Sequence, residues 1–286
     1  MRRALVLAGG GYVASSWQIG LVAGMADAGL DVRNADMFVG TSAGARVALD
    51  LTSGMALEAI YQRRAAPVAP AGPPAQVLSS VDWARIRAGV DEAKQAGGTT
   101  AEILRRYGAL ARTAASGDGA DRRKIVAAQL PMQVWPDRKV MIAAVSAETG
   151  ERRAFGRESG IDLVDAIIAT TASFGSPPVL FEGQHYFDGG YHSGDNADLA
   201  IGFERVLILS LVPPPHAMRV VPLERAVDSL RASGARVETI HPDEETLAAL
   251  VATGGQMSPA SGRPAAIAGR VQGQRAVNDR LVSFWR

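Results

Sequence analysis

A three-layer α/β/α sandwich around a mostly parallel but mixed sheet is the fold class this sequence predicts, and three observations predict it. Short strand-like runs at residues 4–8 and 36–39, the first wholly apolar, each end on a small-residue turn that is followed by an apolar helix. Strand-like runs return after residue 138. Between them, residues 55–136 carry helical patterning alone.

Ala4-Leu5-Val6-Leu7-Ala8 is apolar at every position, as a strand covered on both faces requires, and Gly9-Gly10-Gly11 ends it. A helix over 16–28 stops at Gly29; a second strand over 36–39 enters a turn at 40–44; a helix over 43–51 closes at Gly54. In the 55–136 segment a Pro/Ala/Gly-rich stretch at 67–75 precedes helices at 82–95, 100–115 and 121–130. We read it as a helical insertion and candidate lid within a single domain, 1–286. Strands resume at 139–145 and 152–155, joined through Glu148-Thr149-Gly150-Glu151 as a hairpin, which makes the sheet mixed. A helix at 163–171, a loop at Pro177-Pro178, a strand pair about Gly183-Gln184 and a buried strand at 206–211 follow. After Pro213-Pro214-Pro215 come a helix at 223–233 stopped by Gly234, a strand at 236–240, and helices at 243–253 and 265–285. Arg270, Arg275, Arg280 and Arg286 on the last of these read as a solvated face rather than a binding patch.

With 47% hydrophobic residues, 286 residues can bury a large core. Thirty basic against 29 acidic residues leave a net charge of +1, which argues against a nucleic-acid partner. The absence of cysteine excludes disulfides, thiol catalysis and cysteine-bound metal, and makes the cytoplasm the default compartment. Arg2-Arg3 and the apolar run after it are too short for a signal peptide, and no run approaches the roughly 18 residues of a membrane span. Peripheral membrane contact stays open, as does the oligomeric state.

Gly40-Thr41-Ser42-Ala43-Gly44 is a GxSxG strand-to-helix elbow, the turn that exposes a serine hydroxyl as a nucleophile. In α/β-hydrolases such a serine follows several strands, with an acid and then a histidine after it. Here it sits on the second βα unit, so the first βα turn, Gly9-Gly10-Gly11, is the nearby source of oxyanion donors.

The glycine loop, the early Gly-Thr-Ser-Ala-Gly elbow and the later Asp188-Gly189-Gly190 together resemble the patatin-like phospholipases. The resemblance continues through residues 169–179, including Ser173-Phe174-Gly175-Ser176-Pro177-Pro178-Val179, and through Asn196-Ala197-Asp198-Leu199-Ala200, and covers most of the chain. It implies a serine/aspartate dyad without histidine: Ser42 as nucleophile, Asp188 as base, and the backbone of Gly9, Gly10 and Gly11 as oxyanion hole, with Gly40, Thr41, Ala43 and Gly44 shaping the elbow. The implied activity is hydrolysis of lipid carboxylic esters (phospholipid, lysophospholipid or glycerolipid) through an acyl-enzyme, with no cofactor and no metal. An unperturbed aspartate, pKa ~3.9, is a weak base, so the oxyanion donors would carry much of the acceleration. Where many relatives place a cation and another glycine, this chain has Tyr12-Val13-Ala14; a positive φ at Ala14 would add about 1 kcal/mol of strain.

Other readings compete. Acyl transfer would use the same dyad, and a retired scaffold would bind a lipid or partner without chemistry. Gly9, Gly11 and Ala14 also satisfy a dinucleotide fingerprint, but the acid this needs at the end of the next strand is missing, since Asp31 follows a helix end. His185 and His192 bracket Asp188 and read as surface or loop histidines rather than triad members. Asp195 and Asn196 read as caps of a helix over 197–202, with Asp198 in its first turn. Trp17 reads as core packing or as part of an acyl pocket, and His216 and His241 lack the spacing of metal ligands.

Overall fold

The computed structural model describes residues 1–66, 82–115, 119–211, 218–252, 255 and 257–286. The stretch at 67–75, Pro213-Pro214-Pro215 and His216 lie outside the described residues. The strands are β1 (Arg3–Leu7), β2 (Met37–Thr41), β3 (Lys139–Ser146), β4 (Arg152–Phe155), β5 (Val179–Phe181), β6 (Gln184–Asp188), β7 (Arg205–Leu209) and β8 (Arg236–Ile240). The helices are α1 (Gly11–Asp27), α2 (Ala43–Thr52), α3 (Leu57–Ala65), α4 (Trp83–Gln95), α5 (Thr100–Thr113), α6 (Gly119–Gln129), α7 (Leu163–Thr170), α8 (Leu223–Ala232), α9 (Glu244–Ala252), α10 (Gly262–Ala276) and α11 (Asp279–Trp285).

Among the described residues the strands form one sheet in the order β5-β6-β3-β2-β1-β7-β8, with β4 on the outer edge of β3. The run from β3 to β8 is parallel; β4 and β6 lie antiparallel to β3, and β5 to β6. Successive side chains of the central strands enter two separate cores, the alternation that forces a three-layer build. Leu5, Leu7, Phe38 and Leu207 pack with α1, α2, α7 and α10. Val6, Met37, Val39 and Ile208 pack with α8.

Helix α1 is buried almost throughout, and α10 crosses it at backbone distance. A Cβ on Gly20 would overlap the carbonyl oxygen of Ala266, one on Gly24 that of Arg270, and one on Gly269 or Gly273 the backbone of α1. Gly20→Ala would gain about 1 kcal/mol of helix propensity. Forcing two helices apart costs more, about 3 kcal/mol or above. The net expectation is a fall of several degrees in the melting temperature, read by calorimetry.

The segment 55–136 distributes its described helices over both faces. α3 joins the α1 side, α6 packs there through Val126, and α4 and α5 cover the other face with Phe174, Phe187 and Tyr191. Two expected boundaries move. α1 starts at Gly11 rather than residue 16, because Gly10 (φ 141°) and Gly11 (φ 65°) turn the chain within the loop itself. Ala14 therefore sits in α1 without positive φ, and the strain expected there does not arise. The helix expected over 265–285 is two, because the Asn278 side chain accepts from Leu281 N at 3.0 Å and caps a new one. Arg270 is also no solvated charge: it bonds Asp27 at 2.7 Å and Glu58 at 2.9 Å and stacks on Tyr61.

Candidate active site

Ser42 stands between β2 and α2 at φ 52°, ψ −118°, a conformation that non-glycine residues rarely hold. Small neighbours make it attainable. A side chain on Gly40 would strike Ala45, and one on Gly44 would strike the Leu7 carbonyl of the adjacent strand. The Ser42 amide donates to Thr170 Oγ1 at 2.9 Å, and that hydroxyl donates to Ala143 O at 2.6 Å, so the end of α7 ties the elbow to β3.

The register of β3 brings the distant aspartate to this point. Thr41 pairs with Ala143 in parallel, and Asp188 pairs with the next residue, Ala144, in antiparallel. Because β4 occupies the opposite edge of β3 over 142–145, β2 and β6 share one edge and meet end to end. Ser42 Oγ donates to Asp188 Oδ2 at 2.8 Å, and Gly190 N donates to Oδ1 at 2.8 Å. The carboxylate is 6% exposed. Burial pushes its pKa up to about 6 against the opposing pull of the Gly190 amide, the Ser42 hydroxyl, Arg122 and Arg219. It is thus a stronger base than a solvated aspartate.

The glycine loop closes the third side. A Cβ on Gly9 would lie 3.1 Å from Ser42 Cβ, so this backbone packs directly on the serine. The Gly9 amide is spent, however: it donates to Gly194 O at 2.9 Å and is removed from the expected set of oxyanion donors. Among the described residues, no acceptor takes the N–H of Gly10 or Gly11. Both have positive φ and stand at the N-terminus of α1, where backbone N–H groups and the helix dipole favour negative charge.

The neighbouring polar residues fall differently from expectation. Asn196 caps nothing; it is fully buried in a left-handed conformation and its amide donates to Thr41 Oγ1, Ser193 O and Gly189 O, stitching the elbow to the Asp-Gly-Gly turn. Asp195 is 1% exposed and also no cap, its Oδ1 lacking a partner. Asp198 does lie in the first turn of a short 3-10 helix, held bidentately by Arg152. His192 is half-buried rather than superficial. Desolvation, and then the Arg152 charge, push it down to about 4, and its Nδ1 pairs with Asn196 Oδ1 at 3.0 Å. His185 pairs with Glu148 at 2.8 Å, and His241 Nδ1 donates to Ser210 O. Trp17 is a core residue, fully buried and bonded through Nε1 to Gln272. Asp31 precedes the N-terminal end of β2, paired with Arg33, whereas a dinucleotide site needs its acid at the C-terminal end, where Thr41 and Ser42 stand.

The model of the patatin-like phospholipase family matches residues 5–201, the span that contains all three segments. The chain belongs to the patatin-like phospholipase family. Members of this family are lipid acyl hydrolases. No curated protein gives a significant match. Among solved structures, VipD from Legionella pneumophila is similar over 96% of this chain and 67% of its own, at 12% identity and TM-score 0.43. The type III effector ExoU is similar over 98% of this chain and 57% of its own, at 14% identity and TM-score 0.38; full-length ExoU from Pseudomonas aeruginosa, in complex with SpcU, gives 14% and 0.39. This patatin-like chain therefore spans little more than half of ExoU. No helix among its described residues is long and apolar enough to cross a membrane. Arg122 and Arg219 have no place in the sequence reading, Thr170 entered it only within the 169–179 resemblance and Asn196 only as a cap, because the partners that give them their roles lie on distant segments.

Proposed function

We propose that the protein hydrolyses carboxylic esters of lipids with a Ser42/Asp188 dyad. The observation that carries this reading is the 2.8 Å bond from Ser42 Oγ to a buried carboxylate, beside the amides of Gly10 and Gly11, which no acceptor among the described residues takes. Ser42 Oγ attacks the ester carbonyl as its proton passes to Asp188 Oδ2. The developing oxyanion takes hydrogen bonds from the amides of Gly10 and Gly11, strengthened by the positive end of α1. Collapse expels the alkoxide, which leaves with the proton from Asp188, and an acyl-Ser42 ester remains. Water then attacks this ester, giving its proton to Asp188, and the tetrahedral intermediate releases the fatty acid and returns the proton to Ser42 Oγ.

Phospholipid, lysophospholipid and glycerolipid esters are the expected substrates. The helices of 55–136 are candidates for the acyl-chain wall, since α4 and α5 pack against Phe174 and Tyr191 just beyond Asp188. A fluorophosphonate probe is expected to label the wild-type protein at one site and to leave Ser42→Ala unlabelled. Labelling that survives the substitution would place the nucleophile elsewhere.

A further inference from the structure

We propose that Arg122, on α6, is a positioning residue for the dyad: it clamps residues 170–172, the short piece of chain that holds the backbone of both Ser42 and Asp188. The inference rests on the Ser42/Asp188 reading above and deepens it, since it makes α6 of the 55–136 segment a part of the site.

The end of α7 touches both halves of the dyad. Thr170 Oγ1 accepts from Ser42 N at 2.9 Å, and Ala172 O accepts from Asp188 N at 3.1 Å. Thr171, between them, is the residue Arg122 grips: Nη2 donates to Thr171 O at 2.9 Å and to Thr171 Oγ1 at 3.3 Å. The same nitrogen has Ile168 O at 3.4 Å, and Nη1 donates to Pro177 O at 3.1 Å. One guanidinium thus joins the last turn of α7 to the far end of the loop over 171–177. Its neighbour Arg123 bonds Asp162 and Asp165 at the start of the same helix. Consecutive arginines of α6 therefore hold α7 at both ends, and the end held by Arg122 is the one that meets the dyad.

The chemistry suits arginine. The last carbonyls of a helix lack amide partners in their own helix, and a cation beside them also gains from the helix dipole. A planar fork reaches acceptors in two directions at once, which an ammonium on a flexible stem does not. The need for a clamp lies in the elbow: a backbone as strained as that of Ser42 persists only where its surroundings over-determine it. Thr170 is one of those restraints, fixed by Ala143 O on one side and by the end of α7 on the other. Arg122 brings a charge as well as a shape. Desolvation, then the charge of Arg46, hold it down at about 10, so it remains a cation at neutral pH. The groups that face Asp188 are Arg122 on α6, Arg219 after β7 and Tyr191 in the turn that follows β6. Arg122 therefore acts in two separable ways, through its carbonyl bonds and through its charge.

Steady-state hydrolysis of p-nitrophenyl butyrate across pH separates the two. Arg122→Lys keeps the charge and gives up the fork: kcat is expected to fall about tenfold or more with KM little changed, while the acid limb of kcat/KM stays where wild type has it. Arg122→Gln gives up both, so kcat is expected to fall at least as far and the limb to move to higher pH, because a positive charge that favours the Asp188 carboxylate is gone. Thr170→Val keeps the shape and removes the acceptor of the Ser42 amide. Combined with Arg122→Lys it is expected to lose little more than the worse single variant, since both break one path. Arg123→Gln, which releases only the start of α7, is expected to keep kcat. Wild-type kcat in Arg122→Lys means that the residue acts through charge alone and overturns the clamp. Losses that multiply in the double variant, an unmoved acid limb in Arg122→Gln, or an equal loss in Arg123→Gln overturn it too. Melting temperatures confirm folding, and if Arg122→Gln does not fold, Arg122→Lys decides. Failure of the dyad reading has its own signature, no fluorophosphonate labelling of wild type. In that event the clamp is judged by hydrogen–deuterium exchange: the elbow peptide over 37–45 is expected to exchange faster in Arg122→Lys than in wild type, and unchanged exchange overturns the proposal.

Discussion

Asp188→Asn is expected to lower ester hydrolysis at neutral pH by about 10³-fold or more, while His192→Ala keeps most of the activity. The two substitutions separate a dyad from a triad. His192 is bonded to Asn196 and held neutral by burial, and it shares no hydrogen bond with Ser42 or Asp188. Asparagine in place of Asp188 preserves the shape: its Oδ1 can still accept from Gly190 N, and its Nδ2 can donate to Ser42 Oγ, but it cannot take a proton. A dead His192→Ala with an active Asp188→Asn, measured on p-nitrophenyl butyrate, would overturn the assignment. The pH profile gives a second reading of the same group. Asp188 must be ionised to act as base, so kcat/KM is expected to fall about tenfold per pH unit below about 6. Arg122, Arg219 and the buried Tyr191 face this carboxyl, and the first two hold the value below what burial alone would give.

Stability responds in the opposite sense. The folded pKa of Asp188, about 6, lies above its value of 3.8 in the open chain, so its contribution to stability is complete at low pH and is lost as pH rises through 6. Ionising it at pH 8 costs up to about 3 kcal/mol, at 1.36 kcal/mol for each tenfold change in the proton equilibrium. Asp188→Asn is therefore expected to melt higher than wild type at pH 8 and level with it near pH 4. A site that destabilises its own fold where it works is the signature of function over packing.

Local chemistry made much of this legible in advance. The apolar run ending in Gly9, the elbow around Ser42 and the turn at Gly189-Gly190 each encode their own geometry, and β4 and β8 begin and end where the strand pattern says. What the sequence could not disclose is made of long-range partners. Asn196 looks like a helix cap, since Asn before a short helix is a local signal; only the folded chain puts its amide on Thr41. Gly9 looks like an oxyanion donor until Gly194 claims its N–H. Arg122 and Arg219, whose charges reach Asp188, are inconspicuous in a chain with 30 basic residues against 29 acidic ones, because charges brought together from distant segments leave no periodicity to read.

The correction at Gly9 sharpens the second large prediction, which grades the loop residue by residue. Gly10 holds φ 141°, a region closed to L-residues, and a Cβ there would lie 2.6 Å from Leu211 Cδ2. Gly10→Ala must therefore rotate the peptide that carries the donor amides. Displacing one oxyanion donor costs about 10²–10³ in kcat, and because those bonds strengthen as charge develops, KM is expected to move far less. Gly11 at φ 65° lies in the left-handed basin that alanine can enter for about 1–2 kcal/mol, so Gly11→Ala is expected to fold and to lose about tenfold at most. Steady-state kinetics on a short ester, with melting temperatures to confirm folding, would distinguish this order from its reverse. Equal, small effects at both positions would mean that the oxyanion is stabilised elsewhere, with the amide of Ala43 at the start of α2 as the remaining candidate, since the Ser42 amide is held by Thr170.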